Sequence, residues 1–499
     1  MLNASTPSAP SVIALAAVAL LLSLMFNSNA AARVVQELRG LAGAAPAGTR
    51  LPSVRELTAR HQASPVTVAA AIRQLVAEGL VETRSGRGTF VAARSAAPSS
   101  PPDMSWQTVA LGPRRFGEEE MQALLALPPS GAIPLTGGYL DAHLQPAAAL
   151  GAALARAARQ PAAWQRGPVE GREDLRSWFA RETSAPTPIP SDPGLRAEDM
   201  VICSGGQAAL SSTLRALTEP GDTLLVESPT YLGALAAAHA AGLRVVPVPA
   251  DRDGVLPDQL AAAFTRTGAR LFYCQPLYAN PTGATLSPAR RPAVLAALRE
   301  AGAFLIEDDY ARDLTIDGDP PPPLAASDPG GHVIYLRSLT KSAAPGLRVA
   351  ALGARGPAGA RLRAARLLDD FFVAGPLQQA TLEFVTSPAW HRHRRTLRTE
   401  LRTRRDALLT ALHRHLPHLV PPTVPAGGLH LWTPLPTGAD DVAVATAAAT
   451  AGVVVLPGRP WHAAEPPGPH LRLTYAAAPP SAMDEAVRRL ATVVPVTRP

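Results

Sequence analysis

From about Ala31, the apolar residues Val34, Val35, Leu38 and Leu41 recur on one helical face. Ser53 and Glu56 then stand in S-x-x-E spacing, a capping box that predicts a short helix carrying Val54 and Leu57. Ser64 followed by Pro65 supplies the cap and first position of a second helix. Val68, Ile72, Leu75 and Val76 are expected to pin that helix to the first, and Gly79 to end it. "LVETRSGRGTFVA" reads as a hairpin with Arg-Ser-Gly-Arg-Gly at its tip. A small helical unit with a basic β-tip predicts a winged helix-turn-helix over residues 28–93. In that arrangement one helix enters the major groove of double-stranded DNA and the wing reaches phosphates.

From Arg94 the sequence "RSAAPSSPPDMSWQ" predicts a linker over 94–115. Beyond it, strand and helix patterns alternate to the C-terminus, as in an α/β layer fold. "DMVICSGGQAALSSTLRAL" reads as strand, Gly-rich turn and helix, leaving backbone N–H groups near Gly206 and Gln207 free for a phosphate. Four more strands are expected in "TLLVESPTYLGAL", "LFYCQPLYANPTG", "AFLIEDDYARD" and "HVIYLRSLTKS". They deliver Tyr231, Asn280, Asp308 with Tyr310, and Ser338 with Thr340 and Lys341 at their carboxyl ends. Such sheets bind ligands at those ends.

Charge sharpens this division. The 499 residues carry a net charge of +7. Residues 28–95 hold nine arginines against four glutamates, so five of those seven charges lie in the short N-terminal block. Two cysteines, Cys203 and Cys274, make no disulfide framework, which suits a reducing cytoplasm. Residues 1–27 carry no charged side chain, and Val12 to Phe26 is nearly all apolar. That run is short for a membrane span and lacks the basic start of a secretory signal. An upstream extension, with Met25 as a possible true start, is favoured over a membrane anchor, because a DNA-binding module needs the cytosol.

The N-terminal block resembles the GntR family of bacterial regulators, whose pieces LPS-x-R-x-L, S-x-x-T-V, L-x-x-E-G-L and G-x-G-T-F-V stand here in order. The resemblance implies that Arg55, Ser64, Thr67, Arg84, Arg87 and Gly88 face DNA. Pro65 and Ala69 occupy places where the family usually has arginine, which weakens base readout by arginine forks.

Of the 47 basic residues, 46 are arginine, and Lys341 is the single lysine. Arginine keeps its proton near neutral pH and cannot attack an aldehyde; a lysine of lowered pKa can. Pyridoxal 5'-phosphate needs such a lysine, an acid opposite its ring nitrogen, a phosphate cup and a ring-stacking group. Candidates for all four are present.

Residues 116–499 resemble fold-type I, class I aminotransferases, through S-x-[ST]-K-x-x-x-P-G-L-R at Ser338 to Arg348 and an intact NPTG. The resemblance implies a large part at about 165–355 and a small part at about 360–499. It makes Lys341 the lysine that carries pyridoxal 5'-phosphate as an aldimine, and pairs Asp308, rather than Glu307, with the ring nitrogen. Tyr310 and Asn280 would contact the ring 3-oxygen, and Tyr231 would stack on the ring. Gly206, Gln207, Ser338, Thr340 and Arg348 would hold the phosphate. Arg472 would fork a substrate carboxylate. Arg166 replaces a tyrosine that commonly reaches the neighbouring subunit's phosphate.

A winged helix joined to such a body is the plan of MocR-type regulators. The expectation is a cytoplasmic, homodimeric transcriptional regulator that senses the cofactor, or an amine or amino acid effector, through Lys341. The alternative is a working aminotransferase with an accessory winged helix.

Overall fold

The computed structural model describes residues 30–93, 103–111, 118–183 and 194–495. The chain divides into two units between Gly112 and Pro113. The apolar run Val12–Phe26 lies outside the described residues, as do 94–102 and 112–115 of the expected linker. Among the described residues no helix is long and apolar enough to cross a membrane.

The first unit contains α1 (30–44), α2 (Val54–His61), α3 (Pro65–Ala77) and the hairpin β1 (Val81–Arg84) and β2 (Gly88–Val91). The capping box forms: Glu56 N donates to Ser53 Oγ at 3.3 Å, and the Glu56 carboxylate accepts from Ser53 N at 2.7 Å. Ser64 Oγ accepts from Thr67 N at 3.1 Å and opens α3 with Pro65 in its first turn. Val34, Val35, Leu38, Leu57, Val68, Ile72, Leu75, Val81 and Val91 close one apolar core.

Three positions expected to point inward are exposed instead: Leu41, Val54 and Val76. Helical geometry explains each. Ala42, four residues after Leu38, takes the inward place on α1. Val76 is rotated about 100° from buried Leu75, and the short α2 buries Leu57 alone. The hairpin pairs Val81 with Val91 through to Arg84 with Gly88. Within the expected linker the chain forms a helix, α4 (Ser105–Leu111).

The second unit opens with α5 (Glu118–Leu125) and β3 (Ile133–Pro134). Its main sheet contains β4 (Met200–Cys203), β5 (Thr223–Ser228), β6 (Arg244–Asp251), β7 (Gly254–Val255), β8 (Leu271–Cys274), β9 (Phe304–Asp308), β10 (Val333–Ser338) and β11 (Ala350–Gly353). They lie in the order β4-β11-β10-β9-β8-β5-β6-β7. The block from β10 to β6 is parallel, whereas β11 pairs antiparallel with both neighbours and β7 antiparallel with β6.

From β4 across to β5 both faces of this sheet are buried, which is why most of these strands read as unbroken apolar runs rather than alternating ones. Ile202, Leu225, Phe272, Leu305 and Tyr335 enter one core. Val201, Leu224, Tyr273, Ile306 and Ile334 enter the other. The C-terminal part adds a three-stranded antiparallel sheet from β12 (His430–Pro434), β14 (Leu456–Pro457) and β15 (His470–Thr474). The short β13 (Val453–Val454) pairs with β3, and Leu135, Leu140 and Leu144 join the C-terminal core. The segment after α5 thus packs with the C-terminal part, although hundreds of residues separate them.

Candidate functional site

Parallel strands deliver their polar ends to one side of the sheet. Gly206 and Gln207 follow β4, Tyr231 follows β5, Asp308 ends β9 with Tyr310 just after it, and Ser338, Thr340 and Lys341 end or follow β10. Asn280 comes from the turn after β8, Arg348 precedes β11, and Arg472 lies on β15. These eleven residues line one cavity. Gly138, Tyr139, Leu210, Gln275, His430 and, from α5, Leu124 and Leu125 complete its walls.

Lys341 Nζ lies 3.7 Å from the centroid of the Tyr139 ring. It is half-buried and lines the cavity. Burial and then the Arg472 charge pull its pKa down to about 7, with Arg348 adding and Asp308 opposing. A fraction of this amine is therefore neutral, and nucleophilic, at physiological pH.

Asp308 is buried, and burial pushes its pKa up to about 6 against two hydrogen bonds that favour its ionised form. Tyr273 Oη donates to Asp308 Oδ2 at 2.7 Å, and Gln275 Nε2 donates to the same oxygen at 2.8 Å. Gln275 Oε1 also accepts from Asn280 N at 2.9 Å, fixing the turn. The hydroxyl of Tyr310 donates to the Tyr278 carbonyl at 2.7 Å, and that of Tyr231 to Gln207 Oε1 at 3.1 Å.

Opposite lies a cup of donors. The helix Gly206–Leu217 has no side-chain cap, so its first N–H groups and positive dipole end face outward. Gly205 precedes it with φ of +101°, and a Cβ there would stand 2.6 Å from Arg348 Nη2. Arg348 Nη2 donates to the Ser204 carbonyl at 2.9 Å, and Ser338 Oγ donates to Thr340 Oγ1 at 3.1 Å. Helix end, guanidinium and hydroxyls form a donor set suited to a doubly charged phosphate.

Arg472 is buried without a carboxylate partner among the described residues. Its Nη1 donates to Asn280 Oδ1 at 3.2 Å and its Nη2 to the Gly137 carbonyl at 2.7 Å. Its Nε has no partner, and the Trp461 ring lies 4.4 Å from the guanidinium carbon. Burial lowers its pKa. His430, 3.4 Å from Arg472 Nη1, is held neutral by burial and by the charges of Arg472 and Lys341. A buried, unpaired guanidinium is costly and fits an anionic ligand.

Of the supporting residues, Tyr273 and Gln275 sit at the end of an apolar strand, but nothing in the sequence marked them as partners of Asp308. Gly138 is the second residue of the Gly137-Gly138 pair, and Tyr139 follows it. Nothing local marked Leu124, Leu125 or His430. Arg166 is exposed and is absent from the cavity lining of its own chain.

The residues expected at DNA all lie in the first unit. Arg55, Ser64, Arg84, Arg87 and Gly88 are exposed, and Thr67 is half-buried. Ser64 and Thr67 hydroxyls lie 2.8 Å apart. Arg84 is engaged locally: its guanidinium covers Phe90 at 4.6 Å and bonds Glu82 at 2.5 Å.

Residues 137–490 match the family of aminotransferases class I and II, and residues 28–91 match the gntR family of bacterial regulatory proteins. A Bacillus subtilis protein described as the uncharacterized HTH-type transcriptional regulator YdfD is 28% identical over 90% of this chain and 92% of its own. The probable rhizopine catabolism regulatory protein MocR of Rhizobium meliloti is 28% identical over 90% of each chain. Among solved structures, LysN, an alpha-aminoadipate aminotransferase from Thermus thermophilus complexed with N-(5'-phosphopyridoxyl)-L-leucine, is similar with a TM-score of 0.69. The likeness is 30% identical and covers 76% of this chain and 95% of that one. The chain therefore belongs to the class I and II aminotransferase family and, through its gntR-family N-terminal module, to the MocR-type branch of the GntR regulators.

Proposed function

We propose that this protein is a transcriptional regulator that binds double-stranded DNA through its winged helix, holds pyridoxal 5'-phosphate at Lys341 and responds to an amine or amino acid in the same cavity. The observation that carries the reading is the opening of the single lysine, with a pKa near 7, into a cavity also lined by Asp308 and Arg472. When bound, the cofactor supplies an aldehyde for primary amines and an electron-withdrawing ring.

The chain's own groups would bind and orient it. Ser338, Thr340, Arg348 and the N–H groups of Gly206 and Gln207 would hold the phosphate. Asp308, kept in place by Tyr273 and Gln275, would face the ring nitrogen as a carboxylate. Tyr231 would stack on the ring, while Asn280 and Tyr310 would reach the ring 3-oxygen. Arg472 would take the effector's carboxylate, and Leu124 and Leu125 would bound its side chain. Competition by an effector amine for Lys341's place changes the charge beside Asp308 and Arg472, and a cavity between packed parts can convert that change into a shift of population. A cytoplasmic homodimer follows from the same reading.

One observation favours a second reading, an active aminotransferase: all eleven expected groups line one cavity. The test is to select genomic DNA fragments with the full-length protein. Affinity for them is then measured with and without pyridoxal phosphate and a panel of amines and amino acids. A change of affinity supports the regulator. Unchanged affinity throughout overturns sensing, and sustained transfer of the amino group to a 2-oxo acid favours the enzyme.

A further inference from the structure

The DNA-facing helix carries an unusual surface. In a helix-turn-helix the second helix presents its N-terminal turns to base edges, and here that helix is α3. Its exposed residues over the first two turns are Pro65, Val66 and Ala70, with Ala69 half-buried beside them. Val66 is 74% exposed, although the same helix buries Val68, Ala71, Ile72 and Leu75. The polar groups at this end are committed: Ser64 Oγ accepts from Thr67 N and lies 2.8 Å from the Thr67 hydroxyl. Gln74, further along, donates to Glu78 at 2.9 Å. Arg73 is exposed, but it lies in the third turn.

Reading guanine or adenine by paired hydrogen bonds needs a guanidinium, ammonium or amide on the base-facing turns. None of these stands between Ser64 and Ala71. The one major-groove feature that methyl-bearing side chains can distinguish is the C5-methyl group of thymine. Exposed arginines on the neighbouring elements, Arg55 on α2 and Arg87 at the hairpin tip, give the unit the positive charge to sit on phosphates without reading sequence.

We propose that α3 reads DNA by apolar contact, with Val66 as the specificity-determining residue, and that the half-site is thymine-bearing where this helix enters the groove. The inference rests on the DNA-binding reading above. Burying one methyl group contributes about 0.8 kcal/mol, which is roughly fourfold in affinity.

The experiment uses the full chain. Sites are enriched from a random duplex library, and each thymine of the enriched half-site is then replaced by deoxyuridine, which removes only the C5-methyl. The expected result is enriched thymine and a loss of about three- to fivefold at one or more of these positions. Val66→Ala, a substitution at an exposed helical position, should bring the thymine-to-uracil ratio close to one there. An enriched site without thymine at these positions overturns the proposal, as does indifference to uracil, or a ratio unchanged by Val66→Ala. Failure to enrich any sequence overturns the DNA-binding reading itself, and the inference with it.

Discussion

In the proposed function Lys341 is the residue on which the chemistry turns, and its surroundings would set when it can act. Because burial and Arg472 lower its pKa to about 7, its neutral fraction should rise through that pH. The rate of pyridoxal phosphate uptake, followed by absorbance, is expected to climb between about pH 6 and pH 8 and then flatten. An ordinary lysine would keep climbing towards pH 10. The phosphate side has its own single-residue test. Gly205→Ala would force a left-handed backbone on alanine and drive Cβ into Arg348. That strain costs about 1–3 kcal/mol; relieved by displacing Arg348 from the donor cup, it should weaken cofactor affinity by roughly five- to 150-fold in a titration, with the circular dichroism of the fold retained. Lys341, Asp308 and Arg348 were legible in the sequence because each stands in a motif with a chemical reason. Tyr273 and Gln275 were not, because their role depends on how β8 lies beside β9, where Tyr273 pairs with Ile306.

At the level of elements, Asp313 and Arg337 join the end of β10 to the turn after β9. Arg337 Nη2 bonds both Asp313 oxygens at 3.0 and 2.9 Å, and both side chains are buried. Burial alone would raise the Asp313 pKa, but Arg337 and Arg394 outweigh it and hold it below its usual value. The pair thus stabilises the fold above the ordinary carboxylate range, and that contribution is lost as pH falls through the depressed folded value. Asp313→Ala would leave the buried Arg337 guanidinium with Glu182, 3.3 Å away, in place of two carboxylates, and up to about 3–5 kcal/mol should vanish from the urea-unfolding free energy. The strands of the parallel block that carry the site were readable as apolar runs. β6 was not, since its Pro247 and Pro249 argue against a strand. Nor was β11, whose Ala-Ala-Leu-Gly has little β preference and is held by pairing with β4 and β10. The helix α4 was hidden in a stretch whose composition reads as linker.

Across the whole molecule, charge and chemistry are segregated: the first unit carries most of the net positive charge, and the second carries the single lysine. Binding to DNA should therefore weaken steeply with salt. Arg87→Ala should reduce affinity evenly across sequences and lower the slope of log K against log salt by about one. A fluorescence-anisotropy titration at several salt concentrations reads both. The division into two functions was visible from the charge block and the motifs. The joining of the 133–144 segment to the C-terminal core was not, because no local pattern encodes a contact across such a distance.

The central claim is that one primary amine, Lys341, holds the cofactor. The full-length protein incubated with pyridoxal phosphate, reduced with borohydride and weighed intact tests it directly, since the chain has no other lysine. One phosphopyridoxyl adduct on the wild type, mapped to the Lys341 peptide and missing from Lys341→Ala, is the predicted result. No adduct on the wild type, or the same adduct on Lys341→Ala, would contradict it.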